Sequence, residues 1–218
     1  MPLTYDRKKA EAHLRKADKT LAGVIKSVGP FTLEPRDGTF RSLARAIFFQ
    51  QLAGPAARAI MGRVLASLGT DEERFYEPAQ FAAATDEQLR GAGLSRQKMA
   101  YLRDLAEKFA SGELEEDGWQ SLEDEDVIRR VTLVKGIGRW TAEMFLIFSL
   151  GRPDVLPVDD LGVRRGFQVT YGLKDLATPE EMTRIAEPWR PYRSAGTWYM
   201  WRSLGVELPE EGRAGRAN

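Results

Sequence analysis

The sequence predicts an all-α fold. Apolar residues recur at spacings of three and four along most of the chain, and Ser, Thr and Pro residues stand where helices begin. No segment alternates convincingly between apolar and polar residues, as a half-buried strand would. With 218 residues, 43% of them hydrophobic, the chain can build a substantial core in one large domain or two small lobes.

The first helical segment covers residues 5–28, where Leu14, Leu21 and Ile25 follow a loose helical spacing. It contains the only histidine of the chain, His13. A histidine titrates near neutral pH and therefore invites a catalytic role. Because the neighbours of His13 are mostly charged, we predict instead a solvated residue on the surface of a helix.

The next two helices are separated by a short turn. The helix that starts at Thr39 carries apolar residues on one face, namely Phe40, Leu43, Ala44, Ile47 and Phe48. Pro55 is well placed to open the following helix, which stops at Gly69. The turn, residues 50–54, reads Gln-Gln-Leu-Ala-Gly and contains one exposed-looking leucine, Leu52.

Capping signals mark the later helices. A Thr-Asp-Glu-Gln capping box starts at Thr85, and Ser95 precedes a helix with one apolar face. Ser121 opens a Ser-Leu-Glu-Asp cap, and Thr178 precedes a Pro-Glu-Glu helix start. The last helix is predicted to begin near Pro191.

A glycine-containing turn lies between two of these helices. Residues 133–142 read Leu-Val-Lys-Gly-Ile-Gly-Arg-Trp-Thr-Ala, and a helix is predicted over 139–150. The N-terminus of that helix carries a partial positive charge, which suits a phosphate. A Gly-x-Gly sequence alone also fits a plain interhelical turn. The next helix, predicted to run to about Tyr171, opens with the carboxylate pair Asp159 and Asp160.

Composition limits the possible functions. The 32 basic residues match 32 acidic ones, so any nucleic-acid affinity must come from local clusters, and the acidic run 123–126 should face away from a phosphate backbone. The absence of cysteine excludes disulfides, zinc–thiolate sites and cysteine-ligated iron–sulfur clusters. No run of 18 apolar residues occurs and the N-terminus is charged, so a cytoplasmic protein without a membrane segment is expected.

The glycine turn, its two helices and the following Pro-Val-Asp-Asp sequence together resemble the helix-hairpin-helix DNA glycosylases. Within that group they are similar to the alkylated-base branch, DNA-3-methyladenine glycosylase II. The resemblance covers roughly residues 40–205. It implies a two-lobed helical helix-hairpin-helix fold over residues 1–218. The N-terminal β lobe of larger relatives is not expected, because too few residues precede Thr39.

The lobes are expected at about residues 40–155 and at about 1–39 together with 156–208, with the base held in a cleft between them. Residues 209–218 are predicted to form a disordered tail.

The resemblance implies a monofunctional glycosylase that flips alkylated bases, such as 3-methyladenine and 7-methylguanine, out of double-stranded DNA and excises them in base excision repair. The catalytic carboxylate of the family falls on Asp160, and Asp159 looks like a helix-capping or supporting residue. Relatives that also nick the strand have a lysine at the position of Trp140. Because an indole has no such amine, no lyase activity is expected.

Other site residues follow from the same resemblance. Trp140 and Trp201 match aromatic positions of the base pocket, and Met144 stands where relatives often have tyrosine. Leu52, with Gln51, matches the wedge that enters the DNA where the base has left the stack. Both tryptophans also fit an ordinary core, and Leu52 also fits a simple contact between two helices.

The glycine turn supplies the remaining predictions. Phosphate contacts are expected from Lys135, Gly136, Gly138, Arg139 and Thr141. The backbone carbonyls of Thr132, Val134 and Ile137 match a family site for a sodium or potassium ion. No other cofactor is expected.

Two other functions stay open at this point. A non-catalytic helix-hairpin-helix module that only binds DNA accounts for the two glycines but not for Trp140, Asp160 and the Gln51-Leu52 pair. A glycosylase or lyase for oxidised or mismatched bases is disfavoured by Trp140. A monomer is expected, because a cleft that encloses DNA needs no second subunit.

Overall fold

The computed structural model describes residues 3–36, 39–71 and 76–205. This part of the chain contains no strand, which confirms the all-α class, and none of its helices is long and apolar enough to cross a membrane. Its α-helices are α1 (Arg7–Ala17), α2 (Lys19–Val28), α3 (Thr39–Phe49), α4 (Gly54–Ser67), α5 (Pro78–Ala83), α6 (Asp86–Gly91), α7 (Arg96–Ala110), α8 (Asp124–Val131), α9 (Arg139–Phe148), α10 (Leu161–Tyr171), α11 (Pro179–Ala186) and α12 (Arg193–Ser203). Short 3-10 helices lie at Trp119–Ser121 and Glu187–Trp189. The predicted disordered tail, 209–218, lies outside the described residues.

The chain divides into two compact units. The central unit is Arg36–Phe145, and the terminal unit combines Met1–Pro35 with Leu146–Asn218. The division therefore falls within α9 and not at residue 155.

The central unit is built around α3. The five apolar residues that the sequence places on one face of this helix are all buried, because α4 and α7 pack against it. The ring of Phe40 lies within 5.3–6.5 Å of the rings of Tyr76, Phe81 and Phe109. Burial of such large rings dominates the energetics of a small core. Phe48, near the C-terminal end of α3, joins the same cluster, with its ring 6.3 Å from that of Phe81.

Most capping predictions for the later helices are confirmed. Thr85 forms the capping box of α6, the Ser95 hydroxyl accepts from the Lys98 N–H at 3.2 Å, and Thr178 caps α11. Ser121 does not cap α8. Its hydroxyl donates to the Gly118 carbonyl at 2.8 Å and closes the preceding 3-10 turn, so α8 begins after Glu123.

The terminal unit corrects the prediction of one N-terminal helix. Asp18 ends α1 and caps α2 by accepting from the N–H groups of Thr20 and Leu21. The same carboxylate accepts from the Tyr171 hydroxyl at 2.6 Å and the Trp189 indole at 3.0 Å. Burial alone would raise the pKa of Asp18, but these four hydrogen bonds lower it. Asp18 thus ties the first two helices to the C-terminal ones.

Helices α10 and α12 of the terminal unit pack unusually closely. A side chain at Gly166 would place its Cβ 2.6 Å from the Met200 carbonyl oxygen, so only glycine fits this contact. The close approach fixes the start of α10 against the indole of Trp201.

Candidate active site and nucleic-acid interface

Asp160 is a buried carboxylate at the N-terminus of α10, with 8% of its surface exposed. Its Oδ1 accepts from the Val163 N–H at 2.7 Å and from the Trp201 indole N–H at 2.8 Å. Two donors that converge on one oxygen fix the plane of the carboxylate. The predicted catalytic residue is therefore held in one orientation by its own helix and by α12.

Trp201 lies in the core and not on an open pocket wall. Trp201 is only 4% exposed, and its ring stacks on that of Phe148 with 5.5 Å between the ring centroids. A Cβ at Gly162 would lie 3.0 Å from the indole and 3.1 Å from Asp160 Oδ1. So little exposed ring favours a role in positioning Asp160 over the predicted stacking on a base.

Asp159 is not the helix cap that the sequence suggested. Its neighbour Asp160 donates its N–H to the Pro157 carbonyl at 3.1 Å, which closes a turn and puts Asp160 directly before the helix. Asp159 is exposed within that turn. Capping and the predicted catalytic role thus fall on the same residue.

Trp201→Phe should lower the rate of base release about tenfold, the equivalent of one hydrogen bond to a carboxylate. The substitution keeps a ring against Phe148 but removes the donor to Asp160. Trp198→Phe, on the same helix, controls for the loss of a buried indole. Single-turnover kinetics of both variants measure the difference, and equal rates would show that the indole N–H is dispensable.

The glycine turn of the central unit uses its two glycines differently. Gly136 has φ +80°, and a Cβ there would lie 2.1 Å from the ring of Tyr101. At Gly138 a Cβ would meet nothing within 4 Å. Gly136 is therefore required by the turn itself, whereas Gly138 leaves room for another molecule to approach the backbone.

The helix after the turn begins where the sequence predicts it. The Ala142 N–H donates to the Gly138 carbonyl at 3.1 Å, so α9 presents the positive end of its dipole at the turn. Lys135 has a side chain 72% exposed, with Nζ 3.4 Å from Asp104. Thr141, which was also predicted to contact a phosphate, is buried.

Arg139 is already shared by two carboxylates. It donates to Glu125 at 3.0 Å and to the buried Glu143 at 3.1 Å. Its hydrogen bond lowers the pKa of Glu125. Glu125, one residue of the acidic run 123–126 that was expected to face away from a phosphate backbone, thus pairs with an arginine predicted to bind phosphate. A phosphate must compete with Glu125 for Arg139.

Glu125→Gln should strengthen binding to undamaged duplex DNA. Once Arg139 is no longer paired with Glu125, it can contact a phosphate. One more phosphate contact makes the slope of log affinity against log salt concentration steeper by about one unit. Fluorescence anisotropy across a KCl series measures this slope. Glu123→Gln, the control, removes the same charge two residues earlier, at the N-cap of α8, where no side-chain cap bond is lost. An equal change in both variants would indicate general electrostatics and not release of Arg139.

The turn after α3 carries the predicted wedge. Leu52 is 38% exposed and Gln51 has φ 55°, a left-handed conformation rare for a residue with a side chain. The neighbouring Gln50, which the sequence analysis did not assign, donates from Nε2 to the Gly136 carbonyl at 2.8 Å. The wedge turn and the glycine turn are therefore bonded to each other.

Lys98 and Asp104 of α7 are two further residues that the sequence analysis missed. Lys98 Nζ donates to the Phe48 and Gln50 carbonyls, each at 2.7 Å, and Asp104 Oδ2 accepts from the Lys135 N–H at 2.8 Å. Burial lowers the pKa of Lys98. The signal was present, since Lys98 shares the helical row of Leu102 and Leu105, on the buried face of α7.

Trp140 and Met144 lie one turn apart on α9. Trp140 is 46% exposed, an unusual state for so large a ring, and Met144 is half-buried. An exposed indole has a face that can stack on a base.

The carbonyls predicted for a monovalent ion belong to the segment between α8 and α9. Thr132 ends α8, and the Val134 carbonyl accepts from the Ile137 N–H at 3.0 Å. A carbonyl oxygen has two acceptor positions, so this bond is compatible with an ion on the same atom. Among the residues that the structure describes, no group of three or more acidic or histidine side chains is arranged to hold a metal.

Comparison with known proteins places these features in a family. The HhH-GPD superfamily of base excision DNA repair proteins matches residues 44–191. DNA-3-methyladenine glycosylase 1 of Schizosaccharomyces pombe is 35% identical over 200 residues, which cover 89% of this chain and 86% of that protein.

Solved structures agree with the sequence comparison. The S. pombe 3-methyladenine DNA glycosylase in complex with abasic DNA superposes with a TM-score of 0.80 and covers 91% of this chain and 97% of that chain. A DNA-3-methyladenine glycosidase from Bacillus halodurans, also 35% identical, gives a TM-score of 0.80 over 94% of this chain and 92% of that chain. By coverage and identity, this chain belongs to the HhH-GPD superfamily of base excision DNA repair proteins, in the branch of the DNA-3-methyladenine glycosylases.

Proposed function

We propose that this glycosylase hydrolyses the N-glycosidic bond of alkylated purines in double-stranded DNA, with Asp160 as the catalytic carboxylate. The observation that carries the assignment is the buried Asp160, oriented by Val163 and Trp201. The S. pombe neighbour is named for 3-methyladenine and was solved with abasic DNA, the product that such a reaction leaves.

The chemistry needs one well-placed negative charge. As the base leaves, positive charge develops on the sugar, in an oxocarbenium-like state. The Asp160 carboxylate stabilises that charge and orients the attacking water. Because an alkylated purine such as 3-methyladenine or 7-methylguanine already carries a positive charge, it leaves without strong acid assistance. A single aspartate is then sufficient.

The central unit supplies the contacts with DNA. We assign phosphate binding to the turn around Gly136 and Gly138 with the start of α9, and insertion into the base stack to Leu52 with Gln51. The open space at the Gly138 Cα and the exposure of Leu52 support these roles. A sodium or potassium ion on the carbonyls of the same turn is compatible with this assignment and would add positive charge near a phosphate.

Trp140 determines two further properties in this proposal. Its exposed ring offers an electron-rich face to a cationic alkylated base. The resulting attraction is about 0.5–2 kcal/mol, and it is weaker for a neutral base. Lacking an amine, it cannot attack the sugar. The product is then an abasic site in an intact strand.

The test is base release from duplex DNA treated with a methylating agent, with the freed bases identified by chromatography. The native chain should release 3-methyladenine or 7-methylguanine and leave the strand unbroken. It should form no covalent adduct with the DNA when borohydride is added. A nicked strand or a trapped adduct would show a lyase. DNA binding without release of any base would mean that the chain is a DNA-binding module without catalytic activity, or that it acts on another lesion.

A further inference from the structure

One face of α7 touches both DNA-binding turns of the central unit. Lys98, Tyr101 and Asp104 follow each other at intervals of three residues and so lie in one row along this helix. Lys98 contacts the wedge turn, whereas Tyr101 and Asp104 contact the glycine turn.

The contact with the wedge turn is made through backbone carbonyls. At the C-terminal end of α3, the carbonyls of Phe48 and Gln50 both accept from Lys98 Nζ at 2.7 Å. Carbonyls at this end of a helix have no partner inside it, and a lysine there also complements the helix dipole. The next residue, Gln51, holds the left-handed conformation that turns the chain toward Leu52. Lys98 therefore fixes the backbone immediately before the wedge.

The contact with the glycine turn is equally specific. Asp104 accepts from the Lys135 N–H at 2.8 Å, and the ring of Tyr101 lies where a side chain at Gly136 would be. Gln50 joins the two turns directly through its bond to the Gly136 carbonyl at 2.8 Å. Each turn is thus attached to α7 and to the other turn.

We propose that α7 sets the spacing between the wedge turn and the phosphate-binding turn, and that Lys98 is a positioning residue for base flipping. The inference rests on the proposed function, since it assumes that Leu52 enters the base stack. Lys98 contributes by holding the turn in its inserting conformation before DNA arrives. Loss of Lys98 should therefore impair extrusion of the base and leave the step at Asp160 unchanged.

Two substrates separate extrusion from chemistry. Flipping requires least energy for a base that is already mismatched. We place one 7-methylguanine either opposite cytosine or opposite thymine in the same duplex, and measure single-turnover release by native protein and by Lys98→Met. The variant should be slower by roughly 10- to 100-fold on the paired lesion, the scale expected for a displaced positioning group, and nearly normal on the mismatched one.

Matched variants and a second signal complete the experiment. Lys108→Met removes another lysine of α7, which pairs with Glu113 at 3.4 Å, and should behave as the native chain. Lys98→Arg keeps a charged donor and should recover part of the rate. Gln50→Ala removes only the bond between the turns and should show a weaker form of the same substrate pattern, even if Lys98→Met folds poorly. Fluorescence of 2-aminopurine beside the lesion reports opening of the stack independently of cleavage.

The outcomes are distinct. A native chain that opens the stack but releases no base contradicts the proposed function alone. Equal slowing of Lys98→Met on both substrates, or an unchanged rate and fluorescence signal on the paired lesion, overturns the role of Lys98 while the glycosylase assignment stands.

Discussion

Asp160→Asn is expected to lower the single-turnover rate of base release by about 10²–10³-fold, the usual effect of removing one electrostatic contact with a developing charge. The neutral amide cannot balance the positive charge on the sugar. It can, however, still accept from the Val163 N–H and the Trp201 indole through its carbonyl oxygen. The variant should therefore keep the local geometry and its affinity for DNA.

The asparagine variant is informative because Asp160 also caps α10. Asparagine caps a helix as well as aspartate, whereas alanine at this position should cost about 1 kcal/mol of stability. Comparing the melting temperatures and rates of Asp160→Asn and Asp160→Ala separates the cap from the charge. Asp159→Asn, which removes an exposed neighbouring charge, serves as control and should retain nearly full activity. An active Asp160→Asn enzyme would require a different catalytic group.

Gly136→Ala should destabilise the central unit strongly. A Cβ would overlap the ring of Tyr101, and alanine at φ +80° is strained in any surroundings. Strain and overpacking together amount to about 2–5 kcal/mol, or roughly 5–15 °C in melting temperature for a chain of this size. Thermal unfolding measures the loss, and Tyr101→Ala as a second mutation should recover the part that is due to overlap.

Gly138→Ala is the matched control for that experiment and a test of the phosphate contact. Because a Cβ there meets nothing within 4 Å, the melting temperature should stay unchanged. If a phosphate approaches the backbone at Gly138, the same methyl group will weaken DNA binding. A variant with normal affinity would place the phosphate elsewhere on the turn.

Local signals predicted the helices well because each depends on a few adjacent residues. The buried face of α3, the caps at Thr85 and Ser95, and the start of α9 after the glycine turn all follow from spacing and from side-chain to backbone bonds within four residues.

Long-range polar contacts account for what the sequence did not reveal. Asp18 separates α1 from α2 by capping α2 through bonds to Thr20 and Leu21, a local signal that the sequence prediction overlooked. Its other partners, Tyr171 and Trp189, lie more than 150 positions away, and no local rule anticipates them. The same is true of the Trp201 bond to Asp160 and of the Lys98 contacts with the end of α3. Motifs predicted the site residues, but the contacts that orient Asp160 and the turn after α3 become visible only in three dimensions.

The sharing of Arg139 between Glu125 and Glu143 bears on how the enzyme searches a genome. A repair enzyme must leave countless intact base pairs for every damaged one it meets, and each extra ionic contact lengthens its stay at an intact site. An arginine that must first break its ion pair with a carboxylate adds little to the residence time on intact DNA. Because the chain has no net charge, we expect short residence times at intact sites and frequent transfer between segments of DNA. The enzyme would then examine many base pairs in a given time.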